Sequence, residues 1–276
     1  MPNKLRWGVV ATGGIADVVT GDLRLLPDVE VLAVSSRALP KAEAFAAKHE
    51  IPRAYGDYAD LLADPDVDVV YVATPHVQHH AVTRAALEAG KHVLCEKPAT
   101  LTLAELQDVV HLAGERGLFF MEAIWTRFNP LIVRMSELIA AGEIGEVRSV
   151  RADFGFTLEH DPAHRLWSKA LGGGSLFDLG IYPVSFAHLV LGEPETVQAH
   201  GRLVGGVHHD DCVAGRLLVP DLRIFFLLVD PRGFSARHRG KLVQKRLSLH
   251  SFHRAGVSAV HNSDRINRNV RFFKHP

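Results

Sequence analysis

The chain is poor in cysteine. Cys95 and Cys212 in 276 residues cannot make a disulfide framework, and they read as reduced thiols of a cytoplasmic protein. It also lacks a charge excess: 31 Lys+Arg stand against 31 Asp+Glu, so nothing global draws it to nucleic acid or an anionic membrane. No apolar run is read as approaching the ~20 residues a membrane helix needs, so no membrane partner is expected. The N-terminus shows neither a basic-then-apolar signal nor a twin arginine. A Gly-x-Ser-x-Gly elbow and a Walker A sequence are both missing. With 47% hydrophobic and 22% charged residues, the composition is that of a globular protein, long enough for one large or two moderate domains.

What is present is rhythm. Leu5–Ala11, Val29–Ser35, Val67–Ala73, His92–Cys95 and Leu118–Met121 read as strands, separated by helical spacing such as Lys41–Lys48 and Val77–Ala89. Strand and helix in alternation argue for a parallel sheet with crossover helices. The strands are apolar without alternation, as when both faces are covered. Thr102 and Glu105 form a capping-box pattern. Leu106, Val109, Val110 and Ala113 then recur on one face, and Gly117 follows the end.

After about Glu143 the period changes. Val150, Ala152, Phe154 and Phe156 alternate with Ser149, Arg151 and Asp153, the period of two of a sheet with one solvated or ligand-facing side. A Gly-rich turn, Gly172–Gly174, leads into a helix-like stretch ending near Gly192. Strand-like segments follow at Glu195–Val204, Cys212–Val219 and Arg223–Val229. The expected fold class is α/β: an N-terminal Rossmann domain over residues 1–122, then an α+β substrate and dimerisation domain over 123–230 with a largely antiparallel open sheet. Beyond that the composition breaks. Residues 231–276 hold 11 Lys+Arg, a single acid, Asp264, and five of the 17 His. A basic tail for nucleic acid is one reading. A degenerate or out-of-frame end is preferred, because no nucleic-acid motif accompanies the charge.

The first strand ends in Ala11-Thr12-Gly13-Gly14-Ile15-Ala16, a relaxed G-x-G-x-x-A pattern with Ala11, Gly13 and Ala16 at its three small positions. Gly13 would let the backbone approach a pyrophosphate, Ala16 would let the helix pack close to the strand, and the helix N-terminus would supply N–H groups to the phosphates. Alone the pattern also fits a tight turn; its place at the first strand–helix junction favours the dinucleotide. NAD binders put an acid at the end of the second strand. Here that end reads Val34-Ser35-Ser36-Arg37, and the nearest acid, Glu30, is at the wrong end. Ser36 and Arg37, with Lys41 one turn on, suit a 2′-phosphate, so NADP is expected over NAD; an exposed loop arginine is the plainer alternative.

Glu96-Lys97-Pro98 follows the fourth strand, where ligands of a parallel sheet bind. A lysine there can orient a substrate oxygen or tune a neighbouring acid, or it can be a surface lysine before a turn proline; spacing alone does not separate the two. Asp178 and Tyr182 share a helix face. Tyrosine can protonate an alkoxide where a cation such as Lys97 stabilises tyrosinate; the plainer alternative is a core tyrosine beside a surface aspartate. Pro183 marks a kink at this point. His79-His80 and His208-His209-Asp210-Asp211 lack a metal-ligand spacing, so structural or surface roles are expected and no metal.

Several stretches together resemble the Gfo/Idh/MocA oxidoreductase family. They are Ala11–Ala16, Ala73-Thr74-Pro75-His76, Glu96-Lys97-Pro98 and the run from Gly172 to Tyr182, which contains Gly173, Gly174, Asp178 and Gly180. Residues 122–130, from Glu122 through Trp125 and Arg127 to Pro130, are similar to the dimeric dihydrodiol dehydrogenase branch. The resemblance covers residues 5 to about 219. It implies a Rossmann domain and a second α/β domain whose open sheet often forms a subunit interface. It implies that Lys97 is the family's catalytic lysine, before a cis Pro98, with Tyr182 where inositol-dehydrogenase-like members carry His. It places Thr74, Pro75, His76, His79, Glu96, Lys97, Trp125 and Arg127 at the cofactor, and Trp125, Phe154, Asp178 and Tyr182 at the substrate. After about Pro231 the family pattern is lost, which predicts an open sheet edge and a weakened dimer interface.

The expected function is therefore an NADP-dependent oxidoreductase acting on a sugar, diol or dicarbonyl, with Lys97, Tyr182 and Asp178 as its chemical residues and a homodimer or higher homo-oligomer if the second sheet is intact. The alternative is an inactive NADP-binding protein with a truncated second domain. A nucleic-acid module resting on the basic tail is a third reading, and no nucleic-acid partner is expected.

Overall fold

The structure is a computed structural model. It describes residues 4–155, 161, 163–194, 196–204, 207–219, 222–226 and 269–271. The chain divides into two compact units. The first comprises Met1–Glu143, His160–Tyr182 and Leu203–His208; the second comprises Ile144–Glu159, Pro183–Arg202 and His209–Pro276.

The first unit is built on a six-stranded, all-parallel sheet. Its strands are β1 (Leu5–Val10), β2 (Val29–Ser35), β3 (Arg53–Tyr55), β4 (Val69–Val72), β5 (His92–Cys95) and β6 (Phe120–Glu122). They lie in the order β3-β2-β1-β4-β5-β6, with all five neighbouring pairs parallel. This is the 3-2-1-4-5-6 order of a dinucleotide fold. Crossovers are α1 (Gly14–Leu23), α2 (Leu39–His49), α3 (Tyr58–Ala63), α4 (His79–Glu88) and α5 (Leu103–Arg116), with α6 (Pro130–Ala140) after the last strand.

The non-alternating strands have the reason expected of them, since both faces of the sheet are buried. Val70 and Val72 of β4 join Val10, Val82, Leu87, Val93 and Val109 in one core. Tyr71, between them, points the other way and joins Val9, Val34, Ala16, Leu23 and Phe45 in the second. Successive side chains leave a strand on opposite faces, so a run of apolar residues feeds two cores at once.

On α5 the capping box forms as its sequence predicts: the Thr102 side chain accepts from the Glu105 N–H, and the Glu105 carboxylate reaches back. The buried face corrects the expectation at one residue. Val109, Leu112 and Ala113 are buried and Leu106 packs against them, whereas Val110 is 52% exposed. The 100° step per residue turns Val110 away from the stripe that Val109 and Ala113 share. Strand β3 and helices α3 and α6 are additions to the expected elements. Strand β3 and helix α3 are short, and β3 is held by parallel pairing to β2 rather than by its own pattern.

A second sheet, most of whose residues belong to the second unit, contains β7 (Ser149–Asp153), β8 (Thr196–Val204), β9 (Val207–Val219), β10 (Leu222–Phe226) and β11 (Asn269–Arg271), in the order β11-β7-β10-β9-β8. The β10–β9 and β11–β7 pairs are antiparallel and the β10–β7 pair is parallel. The period of two appears on β7: Val150 and Ala152 are buried, and Arg151 is exposed. They pack with Phe186, Ala187, Val190 and Leu191 of α7 (Ile181–Leu191). The strand ends at Asp153, so Phe154 lies beyond it, half-buried. Phe156, Glu195, residues 227–229, and most of 231–276 with its basic charge lie outside the described residues.

The run Lys169–Leu191 is long and apolar enough to cross a membrane by length and composition alone, with a mean hydropathy of 1.3, which corrects the expectation that no such run exists. It is a succession of 3-10, π and α turns rather than one regular helix. Averaging hides its one buried charge: Asp178 is ion-paired to Lys97 and Arg165, partners that a bilayer does not supply.

Loss of the α5 cap is the direct test of this local structure. Thr102→Ala should lower stability by about 1 kcal/mol, and Thr102→Ser should be close to neutral, both measured as a shift in the urea midpoint of the first unit.

Candidate active site

All six strands of the first sheet point the same way, so their carboxyl ends share one edge. The turns after β1, β2, β4, β5 and β6 lie along it, and they hold most of the residues singled out from sequence.

Ala11 leaves β1 with φ +100, a backbone region that favours glycine. Its N–H donates to the Ser35 carbonyl at the end of β2, which ties the first turn to the second. Gly13 then stands at the N-cap of α1 with no side-chain cap. A Cβ on Gly13 or Gly14 would meet no protein atom within 4 Å. Gly13, Gly14 and Ile15 are exposed, and Ala16 is fully buried against the sheet. Uncapped N–H groups facing open space at a helix start suit a pyrophosphate. Thr12 is half-buried beside them, and Ser36 is half-buried with Arg37 and Lys41 exposed beyond β2. The Oγ1 of Thr74, at the end of β4, is buried without a partner. The residues present thus fit a dinucleotide.

Two expected cofactor residues turn inward instead. His79 is fully buried, with Nδ1 2.7 Å from the Pro98 carbonyl and Nε2 2.8 Å from the Thr74 carbonyl. Both ring nitrogens face backbone carbonyls, to one of which a neutral imidazole donates, so His79 sits between the turns after β4 and β5 rather than offering a polar atom to a ligand. Glu96 is also buried: Oε1 accepts from the Tyr71 hydroxyl at 2.6 Å and Oε2 from the Lys97 N–H at 3.2 Å. Burial pushes the Glu96 carboxyl up and, with the Glu96 charge, pushes the Tyr71 phenol up strongly. Pro75 opens a one-turn helix at His76.

Lys97 is the centre of the group. The Lys97–Pro98 peptide is cis. Nζ donates to the Asp178 backbone carbonyl at 2.8 Å and to Asp178 Oδ1 at 3.1 Å. It lies over the Tyr182 ring, 5.1 Å from its centre. The geometry around Asp178 explains how a lysine reaches a helix carbonyl. Residues Leu176–Gly180 form a π turn, in which the Asp178 carbonyl would look to the N–H of residue 183. Pro183 has none. The π spacing gives way to α spacing at Ile181, two residues before Pro183.

Burial works to raise the Asp178 carboxyl, but the charges of Lys97 and Arg165 outweigh it and hold it below the usual carboxylate range. Burial pushes His76 down to about 4, against the pull of its hydrogen bond to Gly172. Its Nδ1–H donates to the Gly172 carbonyl at 2.8 Å, so the ring is neutral near pH 7, with Nε2 3.9 Å from Asp178 Oδ1.

The Gly-rich turn is required by closeness. A Cβ on Gly173 would fall 2.4 Å from the Arg165 carbonyl oxygen, and one on Gly172 would fall 2.9 Å from His76 Cβ. Trp125 completes the group: its Nε1–H donates to the Tyr182 hydroxyl at 3.2 Å, edge-on to the ring. Lys97, Trp125, Asp178 and Tyr182 all belong to the first unit; Phe154 belongs to the second, and Arg127 is exposed on the turn that carries Trp125.

Sequence reasoning missed Arg165, whose Nη1 lies 3.0 Å from Asp178 Oδ1, and Tyr71, which partners Glu96. Neither has a periodic signal. Arg165 precedes the Gly-rich turn in Asp161-Pro-Ala-His-Arg, and Tyr71 is the one polar group within the β4 run. Among the described residues no group of three or more His, Cys, Asp or Glu side chains could hold a metal. His80 pairs with Asp108 at 2.7 Å. His208–Asp211 lie on β9 with side chains outside the described residues.

Two sequence models match this chain. One, for the oxidoreductase family with an NAD-binding Rossmann fold, covers residues 5–124, and the other, for the GFO/IDH/MocA C-terminal domain, covers 132–227. The chain belongs to the Gfo/Idh/MocA family. It is 49% identical over 202 residues to a trans-1,2-dihydrobenzene-1,2-diol dehydrogenase of Bos taurus, a match to 72% of this chain and 60% of that protein. The chain thus spans about 60% of the length of the curated relatives it matches. Among solved structures, it is similar to an NAD binding oxidoreductase from Klebsiella pneumoniae (TM-score 0.73, 29% identity, 80% of this chain and 65% of that one). It is also similar to a 3-ketoreductase from Actinomadura kijaniata in complex with NADP and TDP-benzene (TM-score 0.72, 30% identity, 83% and 71%). The alternative of an inactive cofactor-binding chain finds no support in these matches.

The buried neutral His76 has a consequence for stability. Its folded-state value lies below its ordinary 6.5, at about 4, so the unfolded chain binds more protons between those values, and stability falls as pH drops from 6.5 toward 4. In His76→Asn, whose amide can still donate to the Gly172 carbonyl, the thermal midpoint should fall less over that range than in the wild type. Equal slopes would show that His76 does not carry the effect.

Proposed function

We propose that this protein is an NADP-dependent oxidoreductase that moves a hydride between nicotinamide and the carbonyl or alcohol carbon of a diol, sugar or dicarbonyl. The observation that carries the reading is Lys97 Nζ, held by Asp178 and lying over Tyr182 at the sheet edge that also carries the open glycine turn.

When bound, the dinucleotide supplies or accepts the hydride. Gly13, Gly14 and the start of α1 hold its pyrophosphate; Ser36, Arg37 and Lys41 receive its 2′-phosphate. Lys97 Nζ holds the substrate oxygen by its remaining N–H. As hydride reaches a carbonyl carbon, the Tyr182 hydroxyl gives its proton to the oxygen, and the Lys97 ammonium and the Trp125 N–H stabilise the phenolate left behind. In the oxidising direction the same groups run in reverse. Asp178 keeps Lys97 aimed and charged. Trp125 supplies apolar wall to the substrate, and Arg127 supplies charge near the cofactor.

Substrate class follows the bovine relative, a trans-1,2-dihydrobenzene-1,2-diol dehydrogenase, so that diol is the first probe. Solved relatives are described with either cofactor type, and the choice of NADP rests on Ser36, Arg37 and the lack of an acid after β2. A domain division at residues 122 and 230, a homodimer through a largely antiparallel second sheet and a cytoplasmic location belong to the same reading.

Fluorescence titration should give tighter binding of NADPH than of NADH, and Arg37→Ala should weaken NADPH alone, by about tenfold for one charge-assisted contact. Preference for NADH would overturn the cofactor assignment. Lys97→Met should cut turnover of the diol roughly a hundred- to ten-thousandfold with NADPH affinity held within about threefold; undiminished turnover would remove Lys97 from the chemistry.

A further inference from the structure

Arg165 has no part in the expected function, yet it is built into the site. It opens a one-turn helix, Arg165–Trp167, whose N-cap is His164. The backbone of this turn rests on the Gly-rich loop: the Gly174 N–H donates to the Leu166 carbonyl at 2.9 Å, and any side chain at Gly173 would strike the Arg165 carbonyl. The loop that presents Asp178 therefore also fixes where Arg165 starts.

From there the guanidinium reaches Asp178. Nη1 lies 3.0 Å from Oδ1, and Lys97 Nζ lies 3.1 Å from the same oxygen. One carboxylate oxygen offers two lone pairs, and two cations take them. Asp178 is 7% exposed and Lys97 12%, while Arg165 is 47% exposed. A buried carboxylate with lysine as sole counter-ion would form a neutral pair, with the lysine's charge largely spent on it. With arginine on the same oxygen, Lys97, Asp178 and Arg165 together carry one positive charge in surplus. Among the other nearby groups His76 is neutral, and Glu96, which attracts Lys97 and so offsets part of the surplus, is hydrogen-bonded to the Tyr71 hydroxyl and the Lys97 backbone rather than to Nζ.

We propose that Arg165 is a positioning residue for the hydride-transfer reaction, sharing Asp178 Oδ1 with Lys97 so that Asp178 stays ionised and the Lys97 ammonium keeps charge to direct at Tyr182 and the substrate oxygen. This rests on the function proposed above. Arginine suits the task because it stays charged at every working pH and its planar fork holds a fixed direction to a carboxylate. Its exposed remainder lets it act without a second buried partner.

The test uses the full chain and two readouts. In Arg165→Met, kcat for diol oxidation should fall about tenfold, the effect of one charge a few ångströms away in a partly solvated site, with KM and NADPH affinity little changed. Arg165→Lys should recover most of the loss. Independently of turnover, Lys97 in Arg165→Met should react several-fold more slowly with limiting acetic anhydride at fixed pH, read by peptide mass spectrometry, because Asp178 then holds the ammonium alone. Should Arg165→Met not fold, Arg165→Gln, which can still donate to Asp178 without charge, takes its place with the same expectations. An unchanged kcat together with unchanged Lys97 reactivity would overturn the proposal. So would a loss confined to KM, which would make Arg165 a substrate contact, and so would failure of the lysine variant to recover activity. If the wild type turns over no diol, sugar or dicarbonyl, the functional reading fails by itself, and the acylation rates alone decide whether Arg165 controls Lys97.

Discussion

The buried pairing of Lys97 with Asp178 is the interaction on which the arrangement depends. A carboxylate this enclosed is costly unless paired and hydrogen-bonded, and its partners come from distant parts of the chain. Lys97 follows the fifth strand of the Rossmann sheet. Asp178 lies in a π turn opened by a glycine loop, and Arg165 comes from the turn stacked on that loop. Each local oddity serves this pairing. Gly173 lets the Arg165 turn approach, Pro183 withholds an N–H from the helix, and the Asp178 carbonyl accepts Lys97 instead. Removing Lys97 would leave both the Asp178 carbonyl and one of its carboxylate oxygens without this cation.

The parallel sheet supplies the frame. Because its strands run the same way, five successive turns gather at one edge, and short strands suffice to bring residues more than a hundred positions apart into one neighbourhood. The inward-turned residues matter as much as those facing outward. His79 bridges the carbonyls of Thr74 and Pro98, and Glu96 anchors the Lys97 backbone while capping the Tyr71 hydroxyl. These bonds hold the backbone of two turns, so the side chains beyond them have fixed origins. The site is thus rigid behind and open in front, where Gly13 faces no protein atom.

Legibility in the sequence followed the range of the interaction. The α5 capping box needed only Thr102 and Glu105, three residues apart, and its face needed only helical spacing; even there Val110 shows that one apolar residue beside the stripe can point outward. The strands that feed two cores were visible as apolar runs. Strand β3 was not, because three residues paired to a neighbour carry no period of their own. At the site, the glycine turn after β1 and the tyrosine at 182 could be singled out by spacing and resemblance. Yet spacing could not tell an active lysine at 97 from a surface one, and the resemblance put His79 at the cofactor, whereas its ring is buried against backbone carbonyls.

The amino-acid order by itself determined the local matters: the five apolar strands and the helices with clear spacing, where α5 begins, that the first turn is small and uncapped, and that no acid follows the second strand. These depend on neighbours within a few residues, whose chemistry the sequence states outright. Only the tertiary structure decided that Asp178 is buried rather than on a helix surface, that its carbonyl and one oxygen both take Lys97, and that Arg165 shares that oxygen. Those outcomes depend on desolvation and on distances of about 3 Å between residues 13 to 81 positions apart, and burial is a property of the packed chain that no spacing along it records.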